Sequence, residues 1–367
     1  MAAVEIRRFN VTNDQLLAYL SEAHYDGSFT NYIQIFSVTI ICCFGIFANC
    51  AVSFVIVSHK ALRTVPNMLI LCLSLSDLLY LIITMPIITY LNLTYGWTLP
   101  HFICKFSCVF QTLTKTVSIF TFTILAHERW QAILRPFQIY QAFNLYKSLF
   151  TICFIWIAAL LVCIPEFVRA GVGYVDVPVD EFNSSAHVPV CVADSVQDKF
   201  YLTIYYCFIL VMDFIIPFII ISFFYVQIAV FLLNKGKFSH HAMTTQQSRG
   251  HALQNNQRKR LTKVVLVLVV VFGFCSAPVR VYDLSQLNFV ELYMRIPYSE
   301  VVVHWIRNFN YINSAINPVA LLCLSKSIRR HIFCQQSQTR FHSQTSSRRS
   351  VTRNSTLRKN CSTSSTL

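Results

Sequence analysis

Residues 258–275 read RKRLTKVVLVLVVVFGFC. Four cations lead directly into an apolar run that extends, with few interruptions, to about residue 285. A helix needs about 20 such residues to cross a bilayer, so this segment is long enough to span. Six more stretches of the same kind lie at approximately 32–58, 66–91, 102–134, 148–168, 200–233 and 299–323. Soluble bundles have apolar helices, but not seven of this length. The alternating pattern of an outer-membrane barrel is missing, and no period of 20–50 residues marks a solenoid. The fold class expected is an all-α membrane protein, a seven-transmembrane helix bundle over residues 32–324.

Composition agrees. The 367 residues are 55% hydrophobic and 13% charged, where a soluble domain carries about 25% charged residues. The mean hydropathy is +0.52. The first thirty residues hold Glu5, Arg7, Arg8, Asp14, Glu22 and Asp26 and no apolar signal-peptide core. The first span is therefore expected to direct insertion itself.

Positive charge sets the orientation. Loop 234–263 carries Lys235, Lys237, Arg249, Arg258, Lys259, Arg260 and Lys263 without an acid. The tail from Lys326 onward has nine Lys or Arg and no acid. Loop 166–199 has six acids against Arg169 and Lys199. The basic segments belong in the cytoplasm and residues 1–31 outside. The net charge of +14 reflects this asymmetry, not a nucleic-acid partner.

Most of the fourteen cysteines sit within apolar runs, as small buried hydrophobes. Cys104, at the outer start of segment 3, and Cys191, in the acidic outer loop, fall on the oxidising side and are expected to pair. Asn10 and Asn183 begin outward-facing Asn-X-Ser/Thr triplets and are candidate glycosylation sites. Residues 325–334 read as a short amphipathic eighth helix lying on membrane lipid, with Cys334 a candidate for palmitoylation. Residues 335–367 are polar, basic and rich in Ser and Thr, so disorder is expected. Phosphorylation of Ser346, Ser347 or Ser350 would suit an arrestin partner.

Ionisable and amide groups inside a bilayer are costly and therefore informative. Asp77 lies midway along segment 2, Asn49 in segment 1 and Ser118 in segment 3; Asn313 and Asn317 stand four apart on segment 7. Together they suit an internal pocket for a sodium ion, with Asp77 as the carboxylate. The simpler alternative is interhelical hydrogen bonding, about 0.6 kcal/mol per contact. Pro86, Pro165, Pro217, Pro278 and Pro318 interrupt five of the segments. Each removes an intrahelical hydrogen bond, which makes for a bundle that can bend.

The joint pattern resembles the rhodopsin-like (class A) G-protein-coupled receptors over about residues 32–335. It is carried by Asn49 in GIFANC, Asp77 in LSLSD, Cys104, HERW ending segment 3, Trp156, Pro217, Tyr225, Pro278 in FCSAP, and Asn317-Pro318 in NPVAL. RTVPN, RKRLTKVVLVLVVVFGFC, NPVALLCLSKSIRR, Gln111 and Arg307 are similar to the bombesin-like peptide receptors, with endothelin and CCHamide receptors as neighbours. The resemblance implies a plasma-membrane receptor for a neuropeptide, acting on a heterotrimeric G protein, by analogy the q type. Gln111 stands where aminergic receptors carry Asp, and Tyr311 where opsins carry the Schiff-base Lys. Glu128 and Trp130 replace the usual Asp and Tyr around Arg129, Ser276 replaces the segment 6 Trp, and Leu321 the segment 7 Tyr.

Residues 124–136, ILAHERWQAILRP, then read as a switch, with Glu128 paired to Arg129 at rest and Arg129 released towards the G protein and Tyr225. Asn317 and Pro318 belong to the same switch, and Ile119, Pro217 and Phe272 to the packed relay above it. The ligand site is expected in the outer half, from Gln111 and Lys115 on one face of segment 3, Arg280 and Asp283 on segment 6, and Arg307 and Tyr311 on segment 7. Lys115 and Asp213 are unusual charges for the family. They are expected to form a buried ion pair across segments 3 and 5, with the charge swap rescuing either alanine variant.

Alternative functions are a constitutive or decoy receptor, suggested by the altered switch positions, and a transporter or channel using Asp77, Lys115 and Asp213 as an ion relay. The second lacks the inverted repeats usual for transporters. No nucleophile–base constellation or phosphate-cradling Gly loop points to an enzyme, and no cofactor is expected beyond sodium as an allosteric ion.

Overall fold

The computed structural model describes residues 13–93, 97–135, 145–178, 185–192, 199–238, 247–288 and 299–324. Helix α1 spans Asn13–Ser58. Helix α2 starts at Val65–Leu79 and continues through a π turn, Tyr80–Thr84, into Met85–Leu93. Helix α3 is His101–Leu134. Helix α4 is Leu145–Val162, broken at Cys163 and resumed as Ile164–Arg169. The hairpin β1 (Gly171–Pro178) and β2 (Ser185–Val192) follows. Helix α5 comprises Lys199–Leu210, a π turn at Val211–Ile215 and Ile216–Phe238. Helices α6 and α7 are Gln247–Asn288 and Ser299–Leu324. Six of these helices are long and apolar enough to cross a membrane, and α7 completes the seven-helix bundle.

Both π turns have a local cause. Each ends two residues before a proline, Pro86 or Pro217. A proline ring clashes with the carbonyl four residues back and has no N–H to offer it. The helix widens instead: the Met85 N–H reaches the Tyr80 carbonyl and the Ile216 N–H reaches the Val211 carbonyl. Pro278 and Pro318 are accommodated within α6 and α7. Pro165 lies in the first turn after the break in α4, where a missing N–H is harmless.

Helix α3 runs through the centre, packed against α2, α4, α5 and α6, while α1 closes the bundle against α2 and α7. Its central position explains why α3 is buried on nearly all sides, through Leu113, Val117, Ile119, Phe122, Leu125 and Ala126. The outward faces are apolar too: Phe47, Phe54, Phe150, Phe154, Phe223 and Phe274 are all exposed. Patches of this kind are not tolerated in water, and lipid covers them here. Where α1 meets α2 and α7, Gly45 permits a close approach. A β-carbon there would stand 2.7 Å from Leu81 Cδ1 and 3.2 Å from the Ala315 backbone.

The strands pair antiparallel from Gly171↔Val192 to Pro178↔Ser185. A disulfide joins Cys104 on α3 to Cys191 on β2. The Trp97 N–H donates to the Pro189 carbonyl, and the indole is buried against the disulfide. The hairpin is thereby fastened over one end of the bundle.

Candidate functional site

Three polar groups lie along the bundle interior, at different depths. Nearest the hairpin is a cluster of charges. The π turn before Pro217 carries Asp213, which is 2% exposed. Arg280 of α6 approaches it at 3.3 Å, and the Thr116 hydroxyl donates to its two carboxylate oxygens at 3.0 and 3.1 Å. Arg280 also stands 3.8 Å from Asp283, one turn further along α6. Lys115, Asp213, Phe272, Ser276, Val279 and Arg280 line a cavity of about 10 Å3, room for about one water.

This arrangement corrects the expected Lys115–Asp213 pair. The carboxylate takes Arg280 and Thr116 instead, and Lys115 closes no ion pair among the described residues. The cause is angular: successive helical residues diverge by about 100°. Position 116, not 115, points across to α5. Lys115 faces the same small cavity from the side, and Ser276 lines it where a larger side chain would fill it.

The second group lies at mid-depth. The Asn317 amide donates to the Asp77 carboxylate at 2.9 Å, joining α7 to α2. The Asn49 amide donates to the Gly45 carbonyl at 2.9 Å and the Ser314 carbonyl at 3.0 Å, joining α1 to α7. The hydroxyls of Ser118 and Ser76 meet at 3.2 Å. Asn49, Asn313 and Asn317 each keep a buried amide oxygen with no hydrogen-bond partner. Buried acceptors are seldom left unmet. The Asn317 oxygen belongs to a side chain bonded to the Asp77 carboxylate, and an unmet amide oxygen next to a carboxylate is the kind of donor set that would suit a hard cation such as sodium.

The third group lies at the far end of α3. Arg129 is 5% exposed, with its Nε unpartnered. Glu128 is half-buried, and the two do not form the expected ion pair among the described residues. Adjacent residues on a helix point apart, so the Glu128 carboxylate acts on the Arg129 guanidinium only as a nearby charge and does not close on it as an ion pair. Tyr225 on α5 donates its hydroxyl to the Thr262 carbonyl on α6 at 3.2 Å. Trp130 donates its indole N–H to Gln227 on α5 and packs against His127 and Phe224. Between this end and the charge cluster, Ile119, Phe122 and Phe272 share one core, with Phe122 edge-on to Phe272 at 5.6 Å. Pro217 and Pro318 are buried.

Of the remaining expected ligand residues, Gln111 is half-buried on α3. Tyr311 is packed among Val38, Tyr80, Leu81 and Met85, so it belongs to the α1–α2–α7 core. Arg307 lies on α7, but its side chain is outside the described residues, as are Asn10, Asn183, Cys334 and the segments 325–334 and 335–367. The side chains of Arg258, Lys259 and Arg260 are also outside them.

Sequence reasoning passed over one cluster altogether. Arg169 pairs with Glu166 at 2.9 Å, donates to the Tyr206 hydroxyl at 3.1 Å and lies 4.0 Å over the Tyr205 ring. Tyr205 donates its hydroxyl to Glu166. An acid and a base three apart, directly after Pro165 at the end of an apolar run, were the available signal.

The model of the family "7 transmembrane receptor (rhodopsin family)" matches residues 48–320. The chain is similar to bombesin receptor subtype-3 of Ovis aries, at 29% identity over 292 residues, 79% of this chain and 71% of that protein.

Proposed function

The chain belongs to the rhodopsin family of seven-transmembrane receptors, and from that premise we propose that it detects an extracellular peptide and passes the signal to a heterotrimeric G protein. Family membership makes it a multi-pass membrane receptor and not an enzyme. The observation that carries the peptide reading is the Arg280–Asp213 bridge beside Lys115, a charged cluster on the hairpin side of the packed relay. Arg280 and Lys115 are donors suited to the carboxylate or backbone carbonyls of a peptide. The similarity to a bombesin receptor supports the same ligand class.

The proposed orientation puts the hairpin outside the plasma membrane and Arg129 in the cytosol. A ligand shifts the bundle towards its active arrangement only by binding that arrangement more tightly. A peptide that takes over Arg280 or Asp213 frees α6 from α5. Phe272 on α6 packs on Phe122 of α3 and lies 6.4 Å from Phe218 on α5. Movement of α6 therefore disturbs the packing above Arg129 and Tyr225, the surface offered to the G protein. Asp77 with Asn49, Ser118, Asn313 and Asn317 would hold sodium.

The absence of a Glu128–Arg129 lock supports a second reading, a receptor with high basal activity. One experiment addresses both. Full-length chain in cell membranes is challenged with amidated and free-acid peptides while guanine-nucleotide exchange is recorded. Peptide-dependent exchange that is lost on Arg280→Ala supports the receptor reading. Exchange that is high without peptide, unaltered by any peptide and abolished by Arg129→Ala supports the constitutive one. No exchange above empty membranes, with the chain well expressed, sinks both.

A further inference from the structure

Cys108 lies one helical turn below Cys104 on α3, and the Sγ atoms of Cys104, Cys108 and Cys191 all stand within 4.8 Å of one another. The disulfide itself is buried, packed by Trp97, whereas Cys108 is only half-buried. No other cysteine among the described residues joins a group of this kind. A thiol held against a disulfide is the starting arrangement for exchange, in which a thiolate attacks one sulfur and expels the other.

We propose that Cys104, Cys108 and Cys191 form a thiol–disulfide exchange site, in which the Cys108 thiolate attacks Cys191 and moves the hairpin's tether one turn along α3. Geometry selects the sulfur attacked. Attack on Cys104 would give a disulfide between residues four apart on a helix, whose β-carbons are about 5–6 Å apart. A disulfide needs β-carbons about 3.5–4.5 Å apart, so this product would distort α3. Cys191 sits on a hairpin whose only covalent anchor is this bond and the chain itself, and it can follow Cys108. The displacement along α3 is about 6 Å, four residues at about 1.5 Å each.

The step balances without an outside reagent. The Cys108–Cys191 bond forms as the Cys104–Cys191 bond breaks. Cys104 leaves as a thiolate and takes up a proton equivalent to the one Cys108 gave up. The number of thiols and of disulfides is unchanged. An acceptor for the new thiol is already in place, because the Gly171 carbonyl lies 3.1 Å from the Cys104 sulfur. The bonded sulfur has no proton to use there; the released thiol does. The alternative to exchange is plain packing of a small apolar side chain against the disulfide, and the experiment below separates the two.

Full-length receptor in native membranes is held between pH 7 and pH 9, alkylated with N-ethylmaleimide, digested without reduction and mapped by mass spectrometry. The expected result is a Cys108–Cys191 peptide and an equal amount of alkylated Cys104, both rising with pH as the thiolate fraction grows. Cys108→Ser should abolish both signals. Only Cys104–Cys191 peptides at every pH, or equal Cys104 alkylation in Cys108→Ser, overturns the proposal. Cys104→Ser gives a second measurement: the hairpin should be retained through Cys108–Cys191. Folded, surface-exposed Cys104→Ser with both remaining thiols alkylated also overturns it.

Discussion

Arg280 and Asp213 meet at 3.3 Å across α6 and α5. The carboxylate is almost fully buried, and the guanidinium keeps part of its surface open. The bridge is thus a lock between the two helices, placed where an incoming ligand can compete for one partner. Removing one member of such a pair strands the other. Asp213→Ala is expected to cost about 3–5 kcal/mol, read as a large fall in the melting temperature of solubilised receptor. The double variant Asp213→Leu/Arg280→Met should regain most of it. A double variant as unstable as Asp213→Ala would show that the bridge is not what holds the helices.

Lys115 behaves differently. With no ion pair to lose, Lys115→Met should lower thermal stability by clearly less than Asp213→Ala, below the roughly 3–5 kcal/mol that a broken buried pair costs. The Lys115→Asp/Asp213→Lys exchange should not rescue Asp213 variants, because Thr116 and Arg280 hold that carboxylate. Recovery of expression by the exchange would restore the Lys115–Asp213 pair as the true contact.

Sodium dependence tests the mid-depth pocket. Exchange of potassium for sodium should raise the melting temperature of the parent, since an ion held at 100 times its dissociation constant adds about 2.7 kcal/mol. Asp77→Asn keeps a hydrogen-bonding side chain but removes the charge, and its melting curve should be the same in both salts. An equal sodium response in Asp77→Asn would move the ion elsewhere.

Trp130 and Gln227 offer a measure of the resting state. Gln227→Ala removes one interhelical hydrogen bond, worth about 1 kcal/mol, and leaves Trp130 stacked on His127 and Phe224. With no Glu128–Arg129 lock to share the load, basal nucleotide exchange should rise about fivefold, the factor corresponding to that energy. Unchanged basal exchange would mean that α3 and α5 keep their resting arrangement without this contact.

Gly45 marks a close approach of α1 to α2 and α7. Gly45→Ala forces a β-carbon against Leu81 and Ala315, and overpacking of this kind costs about 1–3 kcal/mol. The melting temperature should fall accordingly. Because the Asn49 amide also uses the Gly45 carbonyl, the sodium response should weaken in the same variant.

The sequence made the bundle easy to read, because long apolar runs leave few choices of structure in lipid. Asp77 and Asn317 were also legible, since their mid-helix polarity had to be answered by a partner. The pairing at Asp213 was not. It depended on which of two adjacent residues, Lys115 or Thr116, faced α5, and the π turn that contains Asp213 alters its direction. Glu128 and Arg129 do not close the expected ion pair for a related reason, because adjacency in the chain is divergence on a helix. The Glu166–Arg169–Tyr205 cluster needed contacts between α4 and α5 that no local pattern announces, although Glu166 and Arg169 alone were a hint.

The wide turns in α2 and α5 also bear on how relatives are laid over this chain. Each fits one residue more into a turn than the 3.6-residue repeat allows. A receptor lacking that surplus would, on a gap-free alignment, put its counterpart of Asp213 about 100° around the cylinder. Equivalence upstream of Pro86 and Pro217 must therefore be assigned by direction in space, and a matched letter there does not guarantee a matched neighbour.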